Sequence, residues 1–160
     1  MRKLWIMLLI SSVKALLNLE AQLRFWQAVC ERLRFLGRTF VSSLRILLID
    51  DFEPFRQMVR SIIGRRPELE IVAETSDGLE AVQKAVEQNP DLILMDIGLP
   101  SLNGIEAARQ IRKLVPESKI IFLSMESSCE VVQEGLGLGA SGYVLKTRAG
   151  SDLLRAIDAV

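Results

Sequence analysis

Five polar side chains each follow a short apolar run. Asp50 and Asp51 come after Ile46-Leu47-Leu48-Ile49. Asp96 comes after Leu92–Met95, Ser124 after Ile120–Leu123, and Lys146 after Tyr143-Val144-Leu145. Any one of these, alone, is an ordinary turn, cap or surface residue. Together they bring three carboxylates, a hydroxyl and an ammonium to one place, provided that the runs are neighbouring parallel strands. At about 5 Å and an effective dielectric near 20, each carboxylate pair repels by about 3 kcal/mol. A hard divalent cation removes that cost, and an oxygen-only ligand set favours Mg²⁺ over zinc. Mg²⁺, lysine and a hydroxyl are suited to holding a phosphoryl group, and one carboxylate is then free to act as the nucleophile.

The elements that must place these groups are legible as periodicity. Apolar runs of about four residues are the mark of strands buried on both faces. They lie at Ile46–Ile49, Leu92–Met95 and Ile120–Leu123, with weaker strands at Ile71–Thr75 and Gly142–Leu145. Helical spacing fills the gaps. Phe55, Met58, Val59, Ile62 and Ile63 make one face, entered at Pro54 and ended by Gly64 and Pro67. Ala81, Val82, Ala85 and Val86 make a second, closed by Asn89-Pro90. Ile105, Ala108, Ile111 and Leu114 make a third, opened by Asn103 with Glu106 three residues on. Ser151 is expected to cap a last helix through Leu153, Leu154 and Ile157. Five β-α units in sequence predict an α/β fold, a doubly wound parallel sheet with helices on both faces and its site at the carboxyl ends of the strands.

Composition narrows the chemistry. The 160-residue chain has no histidine, which excludes Ser-His-Asp and Cys-His catalysis, histidine metal sites and a phosphohistidine in the chain itself. Cys30 and Cys129 fit no metal or redox spacing and read as free thiols in a reducing compartment. The formal net charge is zero, so no basic excess points to nucleic acid. No Gly-rich loop follows the first strand, which counts against a dinucleotide-binding fold.

At these residues the chain resembles the receiver domain of two-component response regulators. The resemblance rests on Asp50-Asp51, on Leu92-Ile93-Leu94-Met95-Asp96-Ile97-Gly98-Leu99-Pro100 with Asn103-Gly104, on Ser124, and on Tyr143-Val144-Leu145-Lys146. It covers residues 44–160. The stretch Gly139–Lys146 is similar to receivers that head LuxR-type transcription regulators. The resemblance implies a five-stranded sheet of flavodoxin-like order 2-1-3-4-5. It implies that Asp96 is the phosphoacceptor, charged by a sensor histidine kinase. Asp51, Asp96 and the backbone carbonyl of Gly98 would bind Mg²⁺ directly, and Asp50 mainly through water. Lys146 would contact the phosphoryl oxygens. Ser124 and Tyr143 would form the switch, with Met125 and Glu126 flanking the pocket. Such a domain is cytoplasmic and is not an enzyme acting on other molecules; it assists its own phosphorylation and dephosphorylation only.

Three positions depart from the common pattern. Ser124 stands where Thr is frequent and keeps the hydroxyl. Thr147 stands where many receivers have Pro; a cis bond there without proline costs about 3 kcal/mol. The helix expected between the fourth and fifth strands holds Gly135, Gly137 and Gly139, each costing about 1 kcal/mol in a helix interior, and is expected to be soft. Two rival readings are an aspartate-nucleophile phosphatase and a degenerate receiver used as a scaffold. Such phosphatases typically need a second Asp two residues after the nucleophile, where Gly98 stands. The complete acidic set counts against the scaffold.

Residues 1–43 read as an amphipathic helical extension and linker. Residues 1–44 hold seven Lys/Arg against two Glu. Trp5, Leu9, Leu16, Leu19, Leu23, Trp26, Cys30 and Leu33 fall on one heptad stripe, broken only by Ser12. Its expected uses are a homodimer contact or weak attachment of residues 1–36 to a membrane surface. The run Leu4–Ile10 is too short to span a bilayer. The first residues also imitate a signal peptide, although export would separate a receiver from its kinase. Another expectation is that the natural start lies near Val41. LuxR-type regulators continue into a DNA-binding helix-turn-helix. The chain stops at Val160, so the expectation is a stand-alone receiver or a truncated regulator, with no direct nucleic acid binding by these residues.

Overall fold

Strand alternation explains the two cores. In β1 (Leu44–Ile49) the side chains of Ile46 and Leu48 face one side of the sheet, and those of Leu47 and Ile49 the other. Each of these four residues is fully buried. The computed structural model describes residues 43–125, 133, 135 and 137–160. Within them β1 is followed by α1 (Glu53–Ile63), β2 (Leu69–Thr75), α2 (Gly78–Gln88), β3 (Leu92–Asp96), α3 (Gly104–Leu114), β4 (Lys119–Ser124), β5 (Gly142–Leu145), a 3₁₀ turn (Lys146–Arg148) and α4 (Ala149–Asp158). The extension expected over residues 1–36, with its heptad stripe, lies outside the described residues.

The sheet is parallel with order β2-β1-β3-β4-β5. Its register sets the site. Ile49 lies opposite Met95, Asp96 opposite Leu123, and Ser124 opposite Leu145. The last residue of each central strand, or the one just after it, therefore reaches the same edge. One core packs α1 and α4 on the sheet through Phe55, Val59, Ile62, Leu153 and Ile157. The other packs α2 and α3 through Ala81, Ala85, Ile105, Ala108 and Ile111.

Helix ends follow local chemistry. Asn103 Oδ1 accepts from the Glu106 backbone N–H at 2.9 Å and caps α3. The Glu106 carboxylate pairs with Arg109. Asn89 closes α2 in a left-handed conformation, φ 44°. The expected cap at Ser151 is corrected. α4 starts at Ala149 because the 3₁₀ turn after β5 runs straight into it, and the Ser151 hydroxyl, inside the first turn, donates to the Arg148 carbonyl at 3.0 Å. The Lys146–Thr147 peptide is trans.

Between β4 and β5, Gln133, Gly135 and Gly137 have helical backbone. The softness expected for that helix, and Glu126, lie outside the described residues. Gly135 has a packing role. A Cβ there would sit 2.9 Å from the Phe122 ring, so the backbone passes directly over this core aromatic.

Candidate functional site

The β1–α1 loop carries the first two carboxylates. Asp50 is fully buried. Its backbone N–H donates to the Thr75 carbonyl at 3.1 Å, which ties the end of β1 to β2. Its Oδ1 accepts from the Phe52 N–H at 3.0 Å. The Arg56 guanidinium donates to the Asp50 carbonyl and pairs with Glu53 and Glu74. Arg60 bridges the same two glutamates. This network fixes the acid-bearing loop to both α1 and β2. Asp51, next along, is exposed.

β3 delivers Asp96, which is 6 % exposed. The Ile97 N–H holds its Oδ1 at 2.8 Å. The start of α3 presses on the same residue. A Cβ on Gly104 would stand 2.0 Å from the Asp96 carbonyl oxygen, so no other residue fits without moving strand or helix. Gly104 N–H also donates to the Ile97 carbonyl at 2.9 Å, closing the loop that contains Gly98.

Lys146, at the end of β5, lies between the two buried acids. Its Nζ is 2.7 Å from Asp50 Oδ2 and 2.9 Å from Asp96 Oδ2. Apart from that ammonium no donor among the described residues reaches Asp50 Oδ2. The Phe55 ring centroid is 4.9 Å from Nζ, a cation–π contact. The repulsion that residue types alone assign to a metal is therefore relieved first by this lysine. Burial raises the Asp50 carboxyl above its ordinary range, Lys146 pulls it back in part, and Asp96 adds to the rise. Burial works against the charge on Lys146 too, but the two carboxylates outweigh it and hold the ammonium above its ordinary value.

The structure brings together nearly every residue expected from the sequence. One carboxylate oxygen from each of Asp50, Asp51 and Asp96 lies within 4.8 Å of the others. Asp51, Asp96, Gly98, Ser124, Met125 and Lys146 line one open cavity of about 700 Å³. Ser124 is buried at the end of β4. Tyr143 is half-buried opposite Phe122 and packs on the α2–α3 core rather than lining the cavity. The clustered carboxylate oxygens, with Asp51 and Asp96 facing the cavity, fit a hard divalent cation. Sequence reasoning missed Phe55 under the lysine, Arg56 behind Asp50, and Gly104 as a packing requirement. Gly104 was visible only as part of a motif, and Arg56 reads as one more surface charge on an amphipathic helix.

Residues 46–158 match the model of the response regulator receiver domain. The chain is 40 % identical over 119 residues to the transcriptional regulatory protein DegU of Brevibacillus brevis, covering 74 % of this chain and 50 % of that protein. It is 39 % identical over 116 residues to the transcriptional regulatory protein LiaR of Bacillus subtilis, covering 72 % and 55 %. The chain thus spans about half the length of these curated relatives. Among solved structures, a LuxR-family two-component response regulator from Aurantimonas superposes with a TM-score of 0.70 at 38 % identity, over 74 % of this chain and 84 % of that one. The response regulator domain of Thermotoga maritima CheB gives 0.67 at 33 % identity, over 73 % and 96 %. The sheet order, the acidic edge and these matches agree, and the chain belongs to the response regulator receiver family of two-component signalling.

Proposed function

We propose that Asp96 accepts a phosphoryl group from the phosphohistidine of a sensor histidine kinase. The observation that carries this reading is the Lys146 ammonium held at 2.7 and 2.9 Å between Asp50 and Asp96 at the floor of an open cavity. A carboxylate oxygen of Asp96 attacks phosphorus, the phosphorus–nitrogen bond breaks, and the imidazole nitrogen keeps the electron pair. Lys146 turns its charge to the transferred oxygens, where its role is electrostatic. Asp51, Asp96 and the Gly98 carbonyl would hold Mg²⁺, with Asp50 supporting it through water. When bound, the cation neutralises phosphoryl oxygens. The Ser124 hydroxyl then moves to the phosphoryl group and Tyr143 follows inward. Their shift biases a two-state surface formed by the β4–β5 connection, β5 and α4.

Residues 44–160 carry this activity alone, in the cytoplasm. Among the described residues no helix is long and apolar enough to cross a membrane. The test is intact mass after incubation with acetyl phosphate and Mg²⁺. The wild type gains one phosphoryl group. Asp96→Asn, which keeps the shape and loses the nucleophile, gains none while still melting cooperatively. Equal labelling of the mutant places the acceptor elsewhere.

A further inference from the structure

The charged floor uses only part of the cavity above it. A water takes about 30 Å³ of liquid, so the cavity of about 700 Å³ exceeds what a phosphoryl group and a hydrated cation need. The rest of its lining is largely apolar: Phe52, Met58, Ile97 and Met125, with Phe55 beside Lys146. Phe52 is 60 % exposed and Met125 68 % exposed, and neither belongs to the two cores. Two large apolar side chains kept wet beside a charged site contribute little to folding and are free for a ligand.

We propose that this wall is a subsite for the leaving group of the phosphodonor, and that it selects donors whose leaving group carries a flat apolar ring. The inference rests on Asp96 as phosphoacceptor. Attack on phosphorus needs the nucleophile and the departing group roughly in line. Asp96 is buried, so the departing group points away from the sheet into the cavity that the exposed Phe52, Met58 and Met125 help to line. An aromatic ring and two thioethers fit a planar ring better than a methyl group. With an aryl acyl phosphate, the bond from Asp96 oxygen to phosphorus forms and the bond from phosphorus to the acyl oxygen breaks. The carboxylate leaves with the electron pair, and no proton is required.

The experiment uses the full chain with Mg²⁺ and two donors of the same linkage, benzoyl phosphate and acetyl phosphate. Rates of Asp96 labelling are read by intact mass and divided by each donor's rate of phosphoryl transfer to a free nucleophile in solution. The expected corrected preference for benzoyl phosphate is about tenfold, as for a ring half covered by apolar surface. In Phe52→Ser and in Met125→Ser it falls to about twofold or less. A corrected preference near one in the wild type overturns the subsite, as does a preference that survives both substitutions. Labelling by neither donor instead overturns the phosphoacceptor reading, and the subsite with it.

Discussion

Removing the Lys146 ammonium should expose how much like charge the site holds. Lys146→Met keeps most of the side-chain volume and leaves Asp50 and Asp96 buried with no counter-charge. At 4.8 Å or less and an effective dielectric of 20, the two carboxylates repel by about 3.5 kcal/mol. The lost attraction is partly offset, because methionine carries no charge to desolvate. Removing one partner of a buried pair costs about 3–5 kcal/mol in general. Taking about 3 kcal/mol, and about 4 °C per kcal/mol for a domain of this size, the metal-free variant should melt about 12 °C below the wild type at neutral pH. The sign with pH is fixed. Asp50 already has a folded pKa above its ordinary 3.8, and the variant removes what Lys146 did to lower it. A raised carboxyl penalises the fold above its folded pKa, and the penalty fades as pH falls toward 3.8. The gap between variant and wild type should therefore narrow on acidification. Lys146 itself is raised above 10.5, so its stabilisation is complete below that value and is lost as pH rises through the folded one. The wild type should approach the variant in strong alkali. Mg²⁺ should also narrow the gap, because carboxylates freed of the lysine charge bind the cation more tightly in the variant than in the wild type. Calorimetric melts in EDTA from acid to neutral pH are the assay. A variant melting within about 2 °C of the wild type at neutral pH, or a gap that widens in acid, refutes the charge argument.

Ser124→Ala should cost about 1 kcal/mol, the net worth of a buried hydroxyl's hydrogen bond. It should still take up the phosphoryl mass, and NMR with beryllofluoride should then show a much weaker shift at Tyr143 than in the wild type. Gly104→Ala should cost about 3 kcal/mol in urea unfolding, because its Cβ would lie 2.0 Å from a backbone oxygen. Gly150→Ala, with nothing within 4 Å, should instead stabilise α4 by about 0.5 kcal/mol. Deleting residues 1–40 should leave cooperative melting by circular dichroism and full labelling of Asp96, since all five strands and every site residue lie beyond the cut.

The sequence by itself determined the fold class, because a strand buried on both faces must be apolar without a break, and Ile46–Ile49, Leu92–Met95 and Ile120–Leu123 are. It also determined which polar side chains gather at one edge, for a geometric reason. Parallel strands end at a common edge, so whatever follows each apolar run must gather there. Periodicity carries no strand order; 2-1-3-4-5 came with the family resemblance, and the register that sets Asp96 level with Leu123 and Ser124 with Leu145 belongs to the folded sheet. Only tertiary structure decided that Lys146 sits between Asp50 and Asp96, because its strand and theirs meet from distant parts of the chain. The same holds for Arg56 on the Asp50 carbonyl, for Gly104 against Asp96 and for Gly135 against Phe122. A local pattern states which face a residue occupies, whereas the atom it meets there depends on how two elements are packed.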